Sequence, residues 1–128
     1  MEKQTPVDEA RRYLDNARQI LSEKANKEDG RYQDRKYVKL AGHAAYSAIL
    51  IALDGLFGKK NKGRKNVDWY LNQLASLDRK ALGRFNDAYD TLHLALAYDG
   101  NRSAKVAASG LEDAEWLINW VETRNATA

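Results

Sequence analysis

The sequence predicts an all-α protein, an up-and-down bundle of four long helices plus one short helix in a single domain spanning residues 1–128. Apolar residues recur every three or four positions along most of the chain, and no stretch shows the sustained alternation of a half-buried strand. One proline and eight glycines argue against a turn-rich β fold. The length of 128 residues suits one domain with one core.

The first predicted helix covers residues 6–25. Thr5 supplies an N-cap, Pro6 suits the first turn, and Asp8 completes a near capping box. The segment around Gly30 then breaks the helix. The apolar stripe of this first helix has regular helical spacing and consists of Val7, Ala10, Leu14, Ala17 and Leu21.

The second predicted helix covers residues 32–57, with Gly58 as its C-terminal stop. Apolar and small residues occupy most of its circumference, so we expect it to be the central, buried helix. Only a narrow polar seam interrupts this surface, at His43, Ser47 and Asp54.

The rest of the chain predicts a loop and three further helices. Asp78 and Ser103 are suitable N-caps for the last two of them. The loop is expected over residues 58–66, and the helices over residues 67–74, 78–98 and 103–123.

The net charge of +3 is unevenly distributed along the chain. Residues 58–84 hold eight basic and two acidic residues, whereas residues 85–128 hold three basic and seven acidic residues. Such a basic segment predicts nucleic-acid binding, because clustered cations neutralise several phosphates. The alternatives are a solvated loop, or a contact with the acidic C-terminal helix of a second copy. The candidate nucleic-acid-binding residues are Lys59, Lys60, Lys62, Arg64, Lys65, Arg79, Lys80 and Arg84.

Few residues in the chain suit catalysis or metal binding. The absence of cysteine excludes disulfides and thiol chemistry. Asp90 and His93 are three apart, but Asp90 points away from the apolar stripe, and no second such pair exists for a metal site. His43 and Ser47 lie on one helix face without an evident oxyanion donor. We therefore predict no metal site and no cofactor.

Four large residues are expected to point away from the core. Trp116 with Trp120 on the last helix, and Leu94 with Tyr98 on the fourth, lie off the apolar stripes. They predict a second apolar surface that serves as a homodimer or partner interface, where such side chains are favoured. The alternative is that one set packs beneath the short helix or the N-terminal helix.

Two stretches resemble the HEPN superfamily of small helical bundles found in toxin–antitoxin systems and RNA-processing proteins. The first is AGHAAYSAILIALDGLF, residues 41–57, and the second is LHLALAYDG followed by ASGLEDAEWLINWV. The resemblance covers residues 32–123 and leaves the N-terminal helix, residues 6–25, in front of it. It implies a HEPN-like helical fold and a homodimer.

Active members of that superfamily are metal-independent ribonucleases that use an arginine and a histidine, or a tyrosine in place of the histidine. In the matching helix, His93 stands where the arginine would fall, and Tyr98 stands at the later position. Arg84 and Tyr89 have the right separation but come two turns too early. The resemblance thus implies that the catalytic pair is degenerate, with His93 and Tyr98 as its remaining candidates.

These observations predict a non-catalytic interaction module that binds RNA or a nucleotide, as a homodimer. One alternative is a metal-independent ribonuclease with an atypical site. Another is a structural or antitoxin-like partner of a second protein. The N-terminus lacks the apolar stretch of a signal peptide, and no run approaches the roughly 18 residues of a membrane span, which favours a cytoplasmic protein without membrane contact.

Overall fold

The computed structural model describes residues 4–58 and 66–127. This part of the chain is mostly helical, so the all-α prediction is confirmed apart from one small hairpin. The helices are α1 (Pro6–Glu23), α2 (Arg35–Phe57), α3 (Val67–Ala75), α4 (Arg79–Ala88), a π-helix (Tyr89–Tyr98) and α5 (Ala104–Thr127), and the hairpin strands are β1 (Lys27–Glu28) and β2 (Arg31–Tyr32).

Helix α2 lies at the centre of the fold, as its sequence predicts. It packs against α1, the π-helix and α5, while α4 packs against α3 and α5. Ile49 and Leu53 of α2 and Phe85 of α4 are among the largest fully buried side chains. The five predicted stripe residues of α1 are also all buried.

Helix α2 is long and apolar enough to contradict the expectation that no run approaches the length of a membrane span. An 18-residue window within it has a mean hydropathy of 1.5, so by length and composition alone it could cross a membrane. The expectation that no run approaches that length is therefore wrong. Because α2 packs against helices on several sides, this apolar composition is also that of a core helix.

The start of α2 differs from its prediction because a hairpin precedes it. Asp29 and Gly30 have φ angles of 50° and 75°, and they join two antiparallel strands in register. An Asp-Gly pair with both φ angles positive suits a two-residue hairpin turn. Helix α2 then begins after Asp34, whose side chain accepts a hydrogen bond from the Lys36 amide at 3.2 Å.

The predicted fourth helix changes its winding at Tyr89. The chain is α-helical up to Ala88 and π-helical from there to Tyr98. Where the winding changes, the Thr91 hydroxyl donates to the Asp87 carbonyl at 2.9 Å. This bond gives a partner to a backbone carbonyl at the point where the regular α-helical hydrogen bonds are interrupted. Gly42 of α2 and Gly110 of α5 press against the π-helix from two sides, at Leu92.

Candidate functional site

A wide, open cleft of about 590 Å³ lies between the first half of α2 and the end of the π-helix. Gly42 determines how closely the two helices approach, since it contacts the Leu92 carbonyl and the Ala97 amide. The larger side chains of α2 on either side of Gly42 form one wall, and Ala97 forms the other. The cleft is lined by Arg35, Lys36, Lys39, Leu40, His43 and Ala97.

The cleft is basic. Arg35, Lys36 and Lys39 are exposed, and none of them forms an ion pair with a carboxylate in the described ranges 4–58 and 66–127. The Lys36 ammonium lies over the Tyr37 ring at 5.2 Å, and the stem of Arg35 lies against Gly100. Three uncompensated cations at the beginning of a helix, where the macrodipole is also positive, favour an anionic ligand.

Exposed apolar side chains border this basic region. Leu40 is 48% exposed within the cleft, and Leu94 and Tyr98 on the neighbouring π-helix are 38% and 75% exposed. The sequence predicted that Leu94 and Tyr98 point outward, and the structure agrees. An exposed phenol ring is a suitable stacking partner for a nucleobase, and Tyr98 directly follows Ala97, which lines the cleft.

An aromatic cluster lies one turn away from the cleft. The Tyr46 ring centroid is 4.7 Å from that of His93, which in turn is 5.1 Å from Tyr89. Burial, together with Tyr89, raises the pKa of Tyr46 to about 12. Tyr46 is therefore a neutral phenol at physiological pH, and His93 is half-buried among the rings rather than presented to solvent.

The polar seam predicted on α2 separates into unrelated parts. His43 is exposed in the cleft, Ser47 is half-buried, and no hydrogen bond joins the two among the described contacts. Asp54 accepts a hydrogen bond from the Tyr70 hydroxyl at 2.8 Å, and burial together with this bond raises the pKa of Tyr70. The seam is thus not one site.

The predicted nucleic-acid-binding residues fall into three groups. Arg79 and Lys80 are exposed at the start of α4, as expected. Arg84 is instead held by the protein, since it donates to Asp113 at 3.0 Å and lies over the Trp116 ring at 5.4 Å. Lys59, Lys60, Lys62, Arg64 and Lys65 lie outside the described residues.

The two tryptophans of α5 are packed against α4, contrary to the expectation that they point outward. The Trp120 indole donates to the Asp78 carboxylate, which caps α4, at 3.0 Å, and this bond lowers the pKa of Asp78. Trp116 lies beneath the Arg84 guanidinium. Both rings are half-buried. The surface that covers them belongs to α4 of the same chain and not to a second molecule.

Asp113 is a buried carboxylate on α5, only 5% exposed. One oxygen accepts the hydrogen bond from Arg84, and the other has no hydrogen-bond partner among the residues that the structure describes. Burial raises the pKa of the Asp113 carboxyl, and the charges of Asp87 and Glu112 raise it further, against the opposing effect of Arg84. Its ionised form is therefore less favourable in the folded protein than in the unfolded chain.

The Asp113→Asn variant is expected to gain stability relative to the wild type as the pH rises. The folded pKa of Asp113 is above its unfolded value of 3.8, so stability from this group grows as the pH falls through the folded pKa. Asparagine cannot ionise and resembles the protonated acid. Urea unfolding of both proteins at about pH 4.5 and about pH 8 measures the difference. A difference that stays constant, or shrinks as the pH rises, contradicts the expectation.

No group of three or more histidine, aspartate and glutamate side chains that could hold a metal ion occurs in the described part of the chain. Asp90 is exposed, as predicted.

Sequence reasoning missed the three cleft cations. The signal is present, because Arg35, Lys36 and Lys39 fall within five residues, but the small net charge of residues 1–57 concealed it.

Comparisons with known proteins agree on the fold. A solved structure of a protein of unknown function from Dyadobacter fermentans is similar over 97% of this chain and 99% of that chain, with 56% sequence identity and a TM-score of 0.91. No curated protein matches the chain. A family model described as a domain of unknown function, DUF5618, matches residues 5–123. Since that match covers nearly the whole sequence, the chain belongs to the DUF5618 family.

Proposed function

We propose that this protein is a HEPN-like up-and-down helical bundle that binds single-stranded RNA without cleaving it, as a homodimer. The two stretches that resemble the HEPN superfamily lie on α2, the π-helix and α5, which pack against one another. The exposed apolar side chain of Leu94 supports contact with a second copy.

The observation that carries the RNA-binding proposal is the basic cluster of the cleft, whose cations pair with no carboxylate in residues 4–58 and 66–127. Arg35, Lys36 and Lys39 can each neutralise a backbone phosphate. Phosphate contacts supply most of the affinity in sequence-tolerant binding, and a ring such as that of Tyr98 adds base stacking. Cations in the cleft and an exposed ring on the adjoining π-helix fit a flexible single strand better than a rigid duplex.

Binding of a short fluorescent RNA is expected to weaken steeply with salt. Three phosphate contacts give a slope of log affinity against log salt of about −2, at about 0.7 per contact on a single strand. Affinity should then fall about 20-fold between 50 and 200 mM salt. Fluorescence anisotropy measures this, with an uncharged peptide nucleic acid of the same sequence as the control. A flat salt response, or equal binding of the uncharged strand, contradicts the proposal.

A metal-independent ribonuclease is the second candidate, and the π-helix is the observation in its favour. In a π-helix the backbone hydrogen bond joins residues that are five apart. His93 and Tyr98 are five apart, so their side chains lie closer to the same helix face than they would in an α-helix. Cleavage of the same RNA in EDTA by the wild type, but not by His93→Ala, would favour this candidate. Equal residual cleavage by both preparations would reject it.

A further inference from the structure

A second cavity, of about 300 Å³, lies on another part of the molecule, where α1, the hairpin and α5 meet. This volume is at the small end of the range for small-molecule sites. Leu21 and Leu111 provide apolar surface, and Leu21 is buried in the core. The rim consists of polar side chains, namely Arg18, Ser22, Lys27 and Tyr32.

Two of the rim groups are hydrogen-bond donors that the protein leaves unused. Within the described residues, Lys27 forms no ion pair, and the Tyr32 hydroxyl has no hydrogen-bond partner. The other two are engaged. The Arg18 guanidinium lies 3.3 Å from Glu115 and 3.8 Å from Asp15, and the Ser22 hydroxyl donates to the Gln19 carbonyl at 3.2 Å.

The backbone fixes the positions of the two residues that carry the unused donors. Lys27 and Tyr32 are paired residues of the hairpin, on facing strands. The Tyr32 amide donates to the Arg102 carbonyl at 2.8 Å, and the Gln33 amide donates to the Ala25 carbonyl at 3.0 Å. These bonds join the end of β2 to the segment before α5 and to the segment after α1. The side chains of Lys27 and Tyr32 therefore start from facing positions of the hairpin at the edge of the cavity.

We propose that this cavity binds a small organic carboxylate with a short apolar tail. The tail would contact Leu21 and Leu111, while the carboxylate would accept hydrogen bonds from the Lys27 ammonium and the Tyr32 hydroxyl. Charge-assisted bonds of this kind are the stronger class. Burial raises the pKa of Tyr32, so its hydroxyl keeps its proton and can donate at neutral pH. The site is separate from the α2 cleft and does not depend on RNA binding.

Titration of the full-length protein with hexanoate, followed by two-dimensional amide NMR, tests the proposal. We expect saturable shifts that concentrate on the hairpin and on residues around Leu21 and Leu111. Hexanamide has the same tail without the charge, and it should bind at least about fivefold more weakly, a difference equivalent to about 1 kcal/mol.

Three variants assign the binding to individual donors. Lys27→Gln and Tyr32→Phe should each weaken hexanoate at least about fivefold. Lys24→Gln removes an equal charge from an exposed residue that does not line this cavity, and it should bind as the wild type does. The proposal is overturned if no saturable shift occurs, if hexanamide binds equally well, or if Lys24→Gln weakens binding as much as Lys27→Gln.

Discussion

Replacing Gly42 with alanine is expected to destabilise the protein by about 3 kcal/mol or more, at the upper end of the range for overpacked cores. A Cβ atom at Gly42 would lie 2.5 Å from the Leu96 Cβ, 2.7 Å from the Ala97 amide nitrogen and 2.8 Å from the Leu92 carbonyl oxygen. Two of these three atoms belong to the backbone of the π-helix, so a rotamer change cannot relieve the clash. Either α2 or the π-helix has to move, and both contribute to the core.

Two other glycines provide matched controls for this substitution. At Gly110 the nearest atoms belong to the side chains of Leu92 and Thr91, which can adjust, so alanine there should cost about 1–2 kcal/mol. At Gly83, in α4, no other atom of the described residues lies within 4 Å of an added Cβ, so alanine should stabilise the protein by about 0.5–1 kcal/mol through its higher helix propensity.

Urea unfolding of the three variants and the wild type measures the series, with midpoints compared at constant m-value. The expected order of stability is Gly83→Ala, wild type, Gly110→Ala and Gly42→Ala. If Gly42→Ala is as stable as the wild type, α2 and the π-helix do not approach as closely as described. Because Gly42 lies between cleft residues Leu40 and His43, its variant should also weaken RNA binding more than Gly110→Ala does.

The π-helix illustrates why sequence patterns predict a helix more readily than its winding. The buried residues Leu92 and Leu96 are four apart, a spacing that suits either an α-helix or a π-helix. The close contacts on the π-helix come from Gly42 in α2 and Gly110 in α5. Both glycines lie on other helices, and Gly42 is distant in sequence. Tertiary contacts of that kind leave no local periodic signal.

The hairpin differs from the sequence prediction, which gives only a helix break around Gly30. Asp29 and Gly30 form the dipeptide most typical of a two-residue turn, yet each strand has only two residues and no alternation to detect. In contrast, α1 was predicted well, because its stripe and its capping box at Thr5 and Asp8 are complete within the local sequence.

The sequence predicts only part of the candidate site, because the net charge of a segment does not show which charges meet on the folded surface. The segment with the largest net charge, residues 58–84, includes Arg84, which the fold uses to pair with Asp113. Lys36 and Lys39 come from a segment whose net charge is small, since acidic residues elsewhere in residues 1–57 offset them. Among the residues that the structure describes, none of those carboxylates pairs with a cleft cation.

Reversing the charge of Lys36 and Lys39 together is expected to weaken RNA binding about 30-fold or more, at about 1 kcal/mol for each lost phosphate contact. Both side chains are exposed in the first turns of α2, where glutamate interacts favourably with the helix dipole, so the fold should be retained. Arg35 is left unchanged because its stem packs against Gly100.

The matched control reverses Arg79 and Lys80, which are also exposed at the beginning of a helix and change the net charge equally. Helix α4 alone separates them from the π-helix by about 13 Å, at 1.5 Å per residue. That separation exceeds the screening length of about 10 Å at 0.1 M salt, so binding should change by less than about threefold.

The salt dependence of the two double variants then decides which surface holds the RNA. Loss of two phosphate contacts should reduce the slope by about 1.4 in the Lys36→Glu/Lys39→Glu variant and leave it unchanged in the Arg79→Glu/Lys80→Glu variant. The reverse result would place the RNA at the start of α4. If neither variant changes affinity or slope, the cleft proposal fails, and the cations between Lys59 and Lys65 become the next candidates. Folded-state spectra and oligomeric state, measured for each variant, separate these outcomes from a loss of structure.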